Sequence, residues 1–189
     1  MKNEITRKII HMSTLVFPAA YLFQPKKTVL IGLAMCIVVA VIVELFRFFN
    51  PVFSDFFEQI AGTLLRRHEK KKITSATNLL LAFYVAVLIF AKPVAIAAML
   101  FVSVSDALSA LVGKKWGKNN VYKDKTIIGC LVFAVSGIMI LIFVPGLQFY
   151  VGLAGLVSAI IADLFIENYD DNITIPLISG IVMQIALFL

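Results

Sequence analysis

The sequence predicts an all-α, polytopic membrane bundle of about seven spans, with one further amphipathic helix lying in the cytoplasmic interface. Three observations predict it. Of 189 residues, 61% are hydrophobic and only 15% charged, and the mean hydropathy of +0.98 is far above the soluble range. Apolar runs close to the length needed to cross a bilayer recur along the chain. Third, the cations collect in alternate connections between those runs, as the positive-inside rule requires.

The first run, Ile9 to Phe23, carries His11 and Ser13 and lacks a small-residue cleavage site, so it reads as a retained helix rather than a secretory signal. Thr28 to Phe49 follows. Then comes "NPVFSDFFEQIAGTLLRRHEKKK", where Asn50 is a helix cap and Pro51 a first helical residue. Phe53, Phe56, Phe57, Ile60 and Leu64 recur at helical spacing with Asp55, Glu58, Arg66 and Arg67 between them, the pattern of an interfacial amphipathic helix. Further spans are expected at Ile73 to Ala91, Pro93 to Val112, Thr126 to Val144, Phe149 to Ile166 and Ile173 to Leu189. The chain is read as a single integral membrane domain, residues 1–189, without an internal repeat. Cys36 and Cys130 both fall in apolar spans, so neither a disulfide framework nor a thiolate metal site is indicated.

Of the 17 lysines and arginines, all but Lys26, Lys27 and Lys92 then fall on one face. That asymmetry predicts a cytoplasmic N-terminus and an outside C-terminus, with the plasma membrane of a prokaryotic cell as the expected home. A net charge of +6 is thereby spent on topology, and nucleic acid is not an expected partner. The substantial polar connections, Asn50 to Lys72, Gly113 to Lys125 and "ENYDDN" at Glu167 to Asn172, are all assigned to the cytoplasmic face. Water-soluble chemistry belongs there.

Ionised carboxylates inside membrane spans are costly and mark functional candidates. Glu44, Asp106 and Asp163 qualify, each near the cytoplasmic end of its span. Ser109, Ala110 and Gly113 stand three, four and seven residues after Asp106, a stripe of small neighbours that lets another helix or a ligand approach closely. Asp163 and Glu167 are spaced i,i+4, with Asp170, Asp171 and Asn172 just beyond; hard oxygen ligands at this density suit Mg²⁺ bound together with substrate phosphates. "GKKWGKN" is not a Walker A loop, having three residues between its glycines and Asn after the lysine. It reads instead as a glycine-relaxed loop in which Lys114, Lys118 and Lys125 face a polyphosphate. Arg7, Lys8 and His11 share one helical face, and Glu44 with Arg47 forms an i,i+3 pair. Acidic, basic and small-residue elements on one surface, next to spans able to hold a lipid, point to phosphoryl or nucleotidyl transfer to a membrane lipid.

The segments "RKIIH" (7–11), "ELFR" (44–47), "RRHEKKKITSAT" (66–77), "SDALSALVGKKWGK" (105–118), "KDKTIIG" (123–129) and "DNITIP" (171–176) together resemble the dolichol kinase, phytol kinase and CTP-dependent diacylglycerol kinase group of membrane lipid kinases. The chain is more distantly similar to phosphatidate cytidylyltransferases. The ordered set Asp106, Gly113, Gly117, Lys125, Thr126 and Gly129 resembles that group's CTP-binding signature. The resemblance implies CTP as phosphoryl donor, Asp106 at the metal or reacting phosphate, Lys125 and Thr126 with Gly113 to Gly117 around the triphosphate, and Asp171 with Asn172 completing the site. Asp124 and Ile128 stand where dolichol kinases carry Lys and Glu, which shifts the match toward phytol-kinase-like members.

The expected activity is therefore transfer of the γ-phosphate of a nucleoside triphosphate, with CTP implied, to a polyprenol, phytol-like isoprenol or diacylglycerol. Asp106, Asp163 and Lys125 are the expected catalytic groups. Asp106, Asp163, Glu167 and Asp171 are the expected Mg²⁺ ligands. Arg7, His11, Gly113, Lys114, Gly117, Lys118, Lys125, Thr126, Gly129 and Asn172 are expected to bind nucleotide. Asp106 and Asp163 both remain open as general base. The alternatives are a cytidylyltransferase, which attacks the α-phosphate and releases pyrophosphate, and an ion path through Glu44, Asp106 and Asp163.

Overall fold

The computed structural model describes residues 11–61, 73–166 and 169–189, and these are mostly helical. Helix α1 is Val16–Phe23, α2 Lys26–Phe49, α3 Pro51–Ala61, α4 Ser75–Ile89 and α5 Lys92–Trp116, followed by α6 Ile127–Phe143, α7 Phe149–Phe165 and α8 Asp171–Ala186. Local chemistry sets several of their starts. Pro25 is held extended ahead of α2, and its fixed φ ends α1 while feeding the next helix. Phe53 N–H donates to Asn50 Oδ1 at 3.1 Å, the cap expected at the head of α3. Gly129 N–H donates to Thr126 Oγ1 at 3.1 Å to cap α6, and Asn172 N–H to Asp170 Oδ1 at 3.1 Å to cap α8.

Two features depart from the sequence reading. The chain is not wholly helical: Asn120–Tyr122 and Lys125–Thr126 form a small antiparallel hairpin, β1 and β2, with Asn120 opposite Thr126 and Tyr122 opposite Lys125. The chain reverses there in two residues because Lys123 takes a left-handed φ of 43°. The expected loop at Gly113 is also shorter, since α5 continues to Trp116. Lys114 and Lys115 lie in its last turn, where cations favour a helix C-terminus.

Helix α5 is the axis of the molecule. Its residues Val94 to Met99, Phe101 and Val102 are almost fully buried, and the alanines at 95, 97 and 98 let neighbouring helices close in. Helices α1, α4 and α8 pack on its first half and α6 on its second; α7 bridges α6 and α8, and α2 lies outside α4. The α5 helix is interrupted by a π-helical stretch, Phe101–Asp106, where the hydrogen-bond ladder widens.

Two helices, α2 and α5, are long and apolar enough to cross a membrane, and α4, α6, α7 and α8 are shorter apolar helices of 15 to 17 residues. Their outward faces are apolar: Met35, Val39, Ile42 and Phe49 on α2, Leu131, Val135 and Ile142 on α6, and Leu153, Val157 and Ile161 on α7 are all exposed. So much contiguous apolar surface suits a hydrocarbon surrounding. The two ends of the bundle differ. At one, Lys26 Nζ donates to Leu88 O at 2.8 Å and Lys92 Nζ to Leu22 O and Gln24 O at 3.3 Å. The carboxylates gather at the other.

Candidate active site

At that second end, the last turns of α5 and α7 and the first turns of α6 and α8 surround a cavity of about 610 Å³ with the hairpin over one side. Asp106, Ser109, Ala110 and Gly113 enter from α5, Thr126, Gly129 and Cys130 from the start of α6, and Asp163 and Asp171 from α7 and α8; Lys114, Gly117, Asn120, Asp124 and Lys125 complete the wall. The volume is that of a ligand pocket rather than a packing defect.

Asp106 and Asp163 are buried and Asp171 is half-buried, and one carboxylate oxygen from each lies within 4.8 Å of the others. Residues separated by up to 65 positions (171 − 106) in the chain thus form one cage. Lys125 reaches into it: Nζ donates to Asp163 Oδ1 and stands 3.7 Å from Asp171 Oδ2. Burial pulls the Lys125 ammonium toward a lower pKa, but Asp163, Asp171 and Asp106 outweigh that and hold it above the ordinary lysine range.

The carboxylates fit a hard divalent cation. Octahedral Mg²⁺ with bonds of about 2.0–2.1 Å places opposite ligand oxygens about 4.2 Å apart. Three carboxylate oxygens all within 4.8 Å of one another are close to the span of such a ligand set. Three carboxylate oxygens are the ligand type that a hard cation prefers.

The glycines of the signature serve close packing. A Cβ on Gly113 would lie 2.8 Å from Thr126 Oγ1 and 3.3 Å from Gly129 Cα, and one on Gly129 would lie 3.1 Å from Ser109 O. A Cβ on Gly117 would overlap Gly113 O and meet Thr126 Oγ1 at 2.5 Å. The small stripe after Asp106 therefore receives the head of α6, which brings Thr126 and Lys125 to the cavity. The close approach expected of the small stripe at Gly113 is what the glycines serve, and the looseness expected of the Gly113 to Gly117 loop is not their use.

Other expected site residues are placed elsewhere. Lys118 is exposed and does not line the cavity. Asn172 is buried, and its Nδ2 donates to Ser75 O at 3.3 Å, tying α8 to the start of α4. His11 Nε2 donates to Val102 O at 2.8 Å and stands 3.9 Å from Asp106 Oδ2. Arg7 and Glu167 lie outside the described residues. Glu44, grouped with Asp106 and Asp163 on burial cost, belongs to a different cluster. Its carboxylate accepts from Arg47, from Thr74 N–H at 2.8 Å and from Thr77 Oγ1 at 3.3 Å, and so fastens α2 to the head of α4. Missed by the sequence reading were Asn120 and Cys130, whose setting in a weak hairpin and an apolar helix carries no motif, and Asp124, noted only as a departure from dolichol kinases.

Comparisons with known proteins bear on this geometry. No family model matches the chain, and no solved structure matches it significantly. An uncharacterized protein of Rickettsia prowazekii is 28% identical, with 92% of this chain and 90% of that protein covered. CTP-dependent diacylglycerol kinase 1 of Saccharomyces cerevisiae is 26% identical over 97% of this chain and 73% of its own length. The protein of the same name in Schizosaccharomyces pombe is 24% identical over 98% of this chain and 94% of its length. These distant relatives support a lipid kinase family. They do not single out dolichol or phytol kinases within the expected group. At this identity the aligned length carries the relationship, because the match runs along nearly the whole bundle instead of one motif.

Proposed function

We propose that the chain is a CTP-dependent lipid kinase that phosphorylates a membrane lipid alcohol, with diacylglycerol the first candidate because the relatives carry that name. Dolichol, other polyprenols and phytol-like isoprenols are weaker candidates on the same chemistry. The observation that carries the reading is the cage of Asp106, Asp163 and Asp171 around Lys125 in a cavity at one end of an apolar bundle. Such a site serves a polyphosphate and a lipid at once.

In this reading Asp106, Asp163 and Asp171 hold Mg²⁺, which supplies charge neutralisation at the triphosphate. Lys125 and Lys114 attract the phosphates, and Thr126 fixes their approach at the head of α6. The lipid hydroxyl oxygen bonds to the γ-phosphorus, the bond from that phosphorus to the bridging oxygen breaks, and CDP leaves. A carboxylate of the cage accepts the hydroxyl proton. Asp106 and Asp163 are the two candidates for that role; of the carboxylates beside Lys125, Asp163 is better buried than Asp171. All the longer helices and α4, α6, α7 and α8 cross the bilayer, about seven crossings in all with the N-terminal segment, and the cavity faces the cytoplasm as the distribution of cations predicts.

The test is transfer from CTP labelled at the γ or the α phosphate, with Mg²⁺, to diacylglycerol, isoprenoid alcohols and phosphatidic acid, followed into the lipid fraction. Label from the γ position alone into an alcohol supports the kinase and identifies its acceptor. Label from the α position into phosphatidic acid would replace it by a cytidylyltransferase. Asp106→Asn is expected to abolish transfer while the protein still assembles in membranes.

A further inference from the structure

The carboxylate of Asp106 is aimed by an irregular piece of backbone. Asp106 is the last residue of the π-helical stretch Phe101–Asp106, and regular α-helix resumes at Ala107. A π turn holds one residue more than an α turn. Closing it to regular α-helix would rotate Asp106 by up to about 100° relative to the buried first half of α5, the angle of one residue. A carboxylate turned that far leaves a cage whose oxygens lie within 4.8 Å. The widened turn is therefore a condition of the cage.

Polar groups from outside α5 hold that turn on two sides. His11 Nε2–H donates to the Val102 carbonyl at 2.8 Å. Thr14 Oγ1 lies 2.9 Å from Ser103 Oγ; since Thr14 gives its own proton to His11 O at 2.6 Å, Ser103 is the donor between them. On the other side, Ser136 Oγ of α6 lies 3.0 Å from Ser105 Oγ. Ser103 and Ser105 are fully buried, where an unmet hydroxyl would cost free energy, so each contact biases the chain toward the conformation that makes it. Three successive contacts, at residues 102, 103 and 105, end one residue before the carboxylate.

We propose that His11, Thr14 and Ser136 are positioning residues, which clasp the π turn of α5 and thereby hold the Asp106 carboxylate in the metal cage. This rests on reading the cage as a divalent-cation site. His11 then acts through the backbone carbonyl of Val102, and from 3.9 Å on the Asp106 carboxylate itself, and not on nucleotide. His11 and Thr14, together with Ser136 in the middle of α6, thereby become part of the cage's geometry.

The test is Mn²⁺ affinity, read by electron paramagnetic resonance on nucleotide-free full-length protein in lipid nanodiscs. His11→Phe removes the donor with an aromatic ring kept, and is expected to weaken Mn²⁺ binding about tenfold. His11→Gln, which keeps an N–H donor, is expected to recover most of it. Thr14→Val and Ser136→Ala, smaller changes that leave the helices their packing, are each expected to weaken binding about threefold and keep the measurement decisive if His11→Phe does not assemble. Asp106→Asn separates the two claims. If it leaves Mn²⁺ affinity unchanged, the cage is no metal site and the inference falls with that reading. If it abolishes binding while Thr14→Val, Ser136→Ala and the His11 variants all bind as the wild type does, the cage stands and the clasp is refuted.

Discussion

Replacing Gly113 by alanine sets two effects of opposite sign against each other. In an exposed helix interior this change stabilises by roughly 1 kcal/mol, because glycine is the poorer helix former. Here the added methyl lies 2.8 Å from Thr126 Oγ1 and 3.3 Å from Gly129 Cα, against ordinary carbon contacts of about 3.5–4.0 Å. Thr126 cannot swing away cheaply, since the same oxygen accepts the Gly129 N–H that caps α6, and losing a cap costs about 1 kcal/mol. Overpacking a tight contact costs a further 1–3 kcal/mol or so. The net expectation is destabilisation by about 1–3 kcal/mol, with α6 displaced outward by about half an ångström. Thr126 and Lys125 move with it. If misplacing reacting groups by about 1 Å can cost on the order of a hundredfold, half that displacement predicts a loss of about tenfold in kcat/KM. Thermal unfolding in detergent and labelled-CTP transfer in mixed micelles measure the two parts. A Gly113→Ala protein that is more stable than the wild type and fully active would show that α5 and α6 do not meet as closely as described, and would refute the account of the signature glycines.

Lys125→Ala is expected to raise the KM for CTP at least tenfold with a smaller effect on kcat, measured by steady-state kinetics. Because the Lys125 pKa is raised, its charge and the stability of its pairing are present below the ordinary lysine value and are lost only as pH rises beyond it; the pH–rate profile between pH 7 and 9.5 should show no limb that disappears in Lys125→Ala. Glu44→Gln leaves Arg47 buried with a weakened partner, and a melting temperature several degrees lower, with the KM for CTP within about twofold of wild type, would mark Glu44 as structural; breaking a buried pair outright costs about 3–5 kcal/mol. Cys130 lines the cavity while Cys36 is exposed on the apolar face of α2. Small thiol reagents should therefore inactivate the protein through Cys130 and CTP should slow that reaction, as shown by mass spectrometry and by the resistance of Cys130→Ser.

Much of the site was legible because charge is expensive in an apolar chain. Asp106 and Asp163 stand out on that ground alone, and both reach the cage with Asp171. The same criterion brought in Glu44, which the fold satisfies by pairing it with Arg47 and the head of α4; burial cost identifies a group that needs a partner without saying whether the partner is a ligand or a neighbouring helix. Gly113, Gly117, Lys125, Thr126 and Gly129 converge as the ordered signature implied. The hairpin was not legible, since strands of three and two residues are too short to show periodicity. Nor was the π turn, because "FVSVSD" has the composition of ordinary buried helix, and its polar partners at His11, Thr14 and Ser136 lie far away in sequence. Asn172 was read as a site group through the resemblance, yet its side chain donates to Ser75 O, a contact 97 residues away in sequence and invisible to any local pattern.

The lengths of the helices have a consequence for the bilayer itself. At 1.5 Å per residue, α4, α6, α7 and α8, with 15, 17, 17 and 16 residues, are about 22–26 Å long, whereas a typical hydrocarbon core is about 30 Å thick. In the proposed membrane setting these helices fall several ångströms short of the hydrocarbon core, a mismatch that thinning of the surrounding lipid relieves, and thinning brings the lipid surface toward the end that carries Asp106, Asp163 and Asp171. A lipid alcohol there meets the cavity at the depth of its own hydroxyl, with its acyl chains still among their neighbours. On the proposed lipid-kinase reading the acceptor then need not leave the membrane, and the acyl-chain length of the host bilayer becomes a control on turnover.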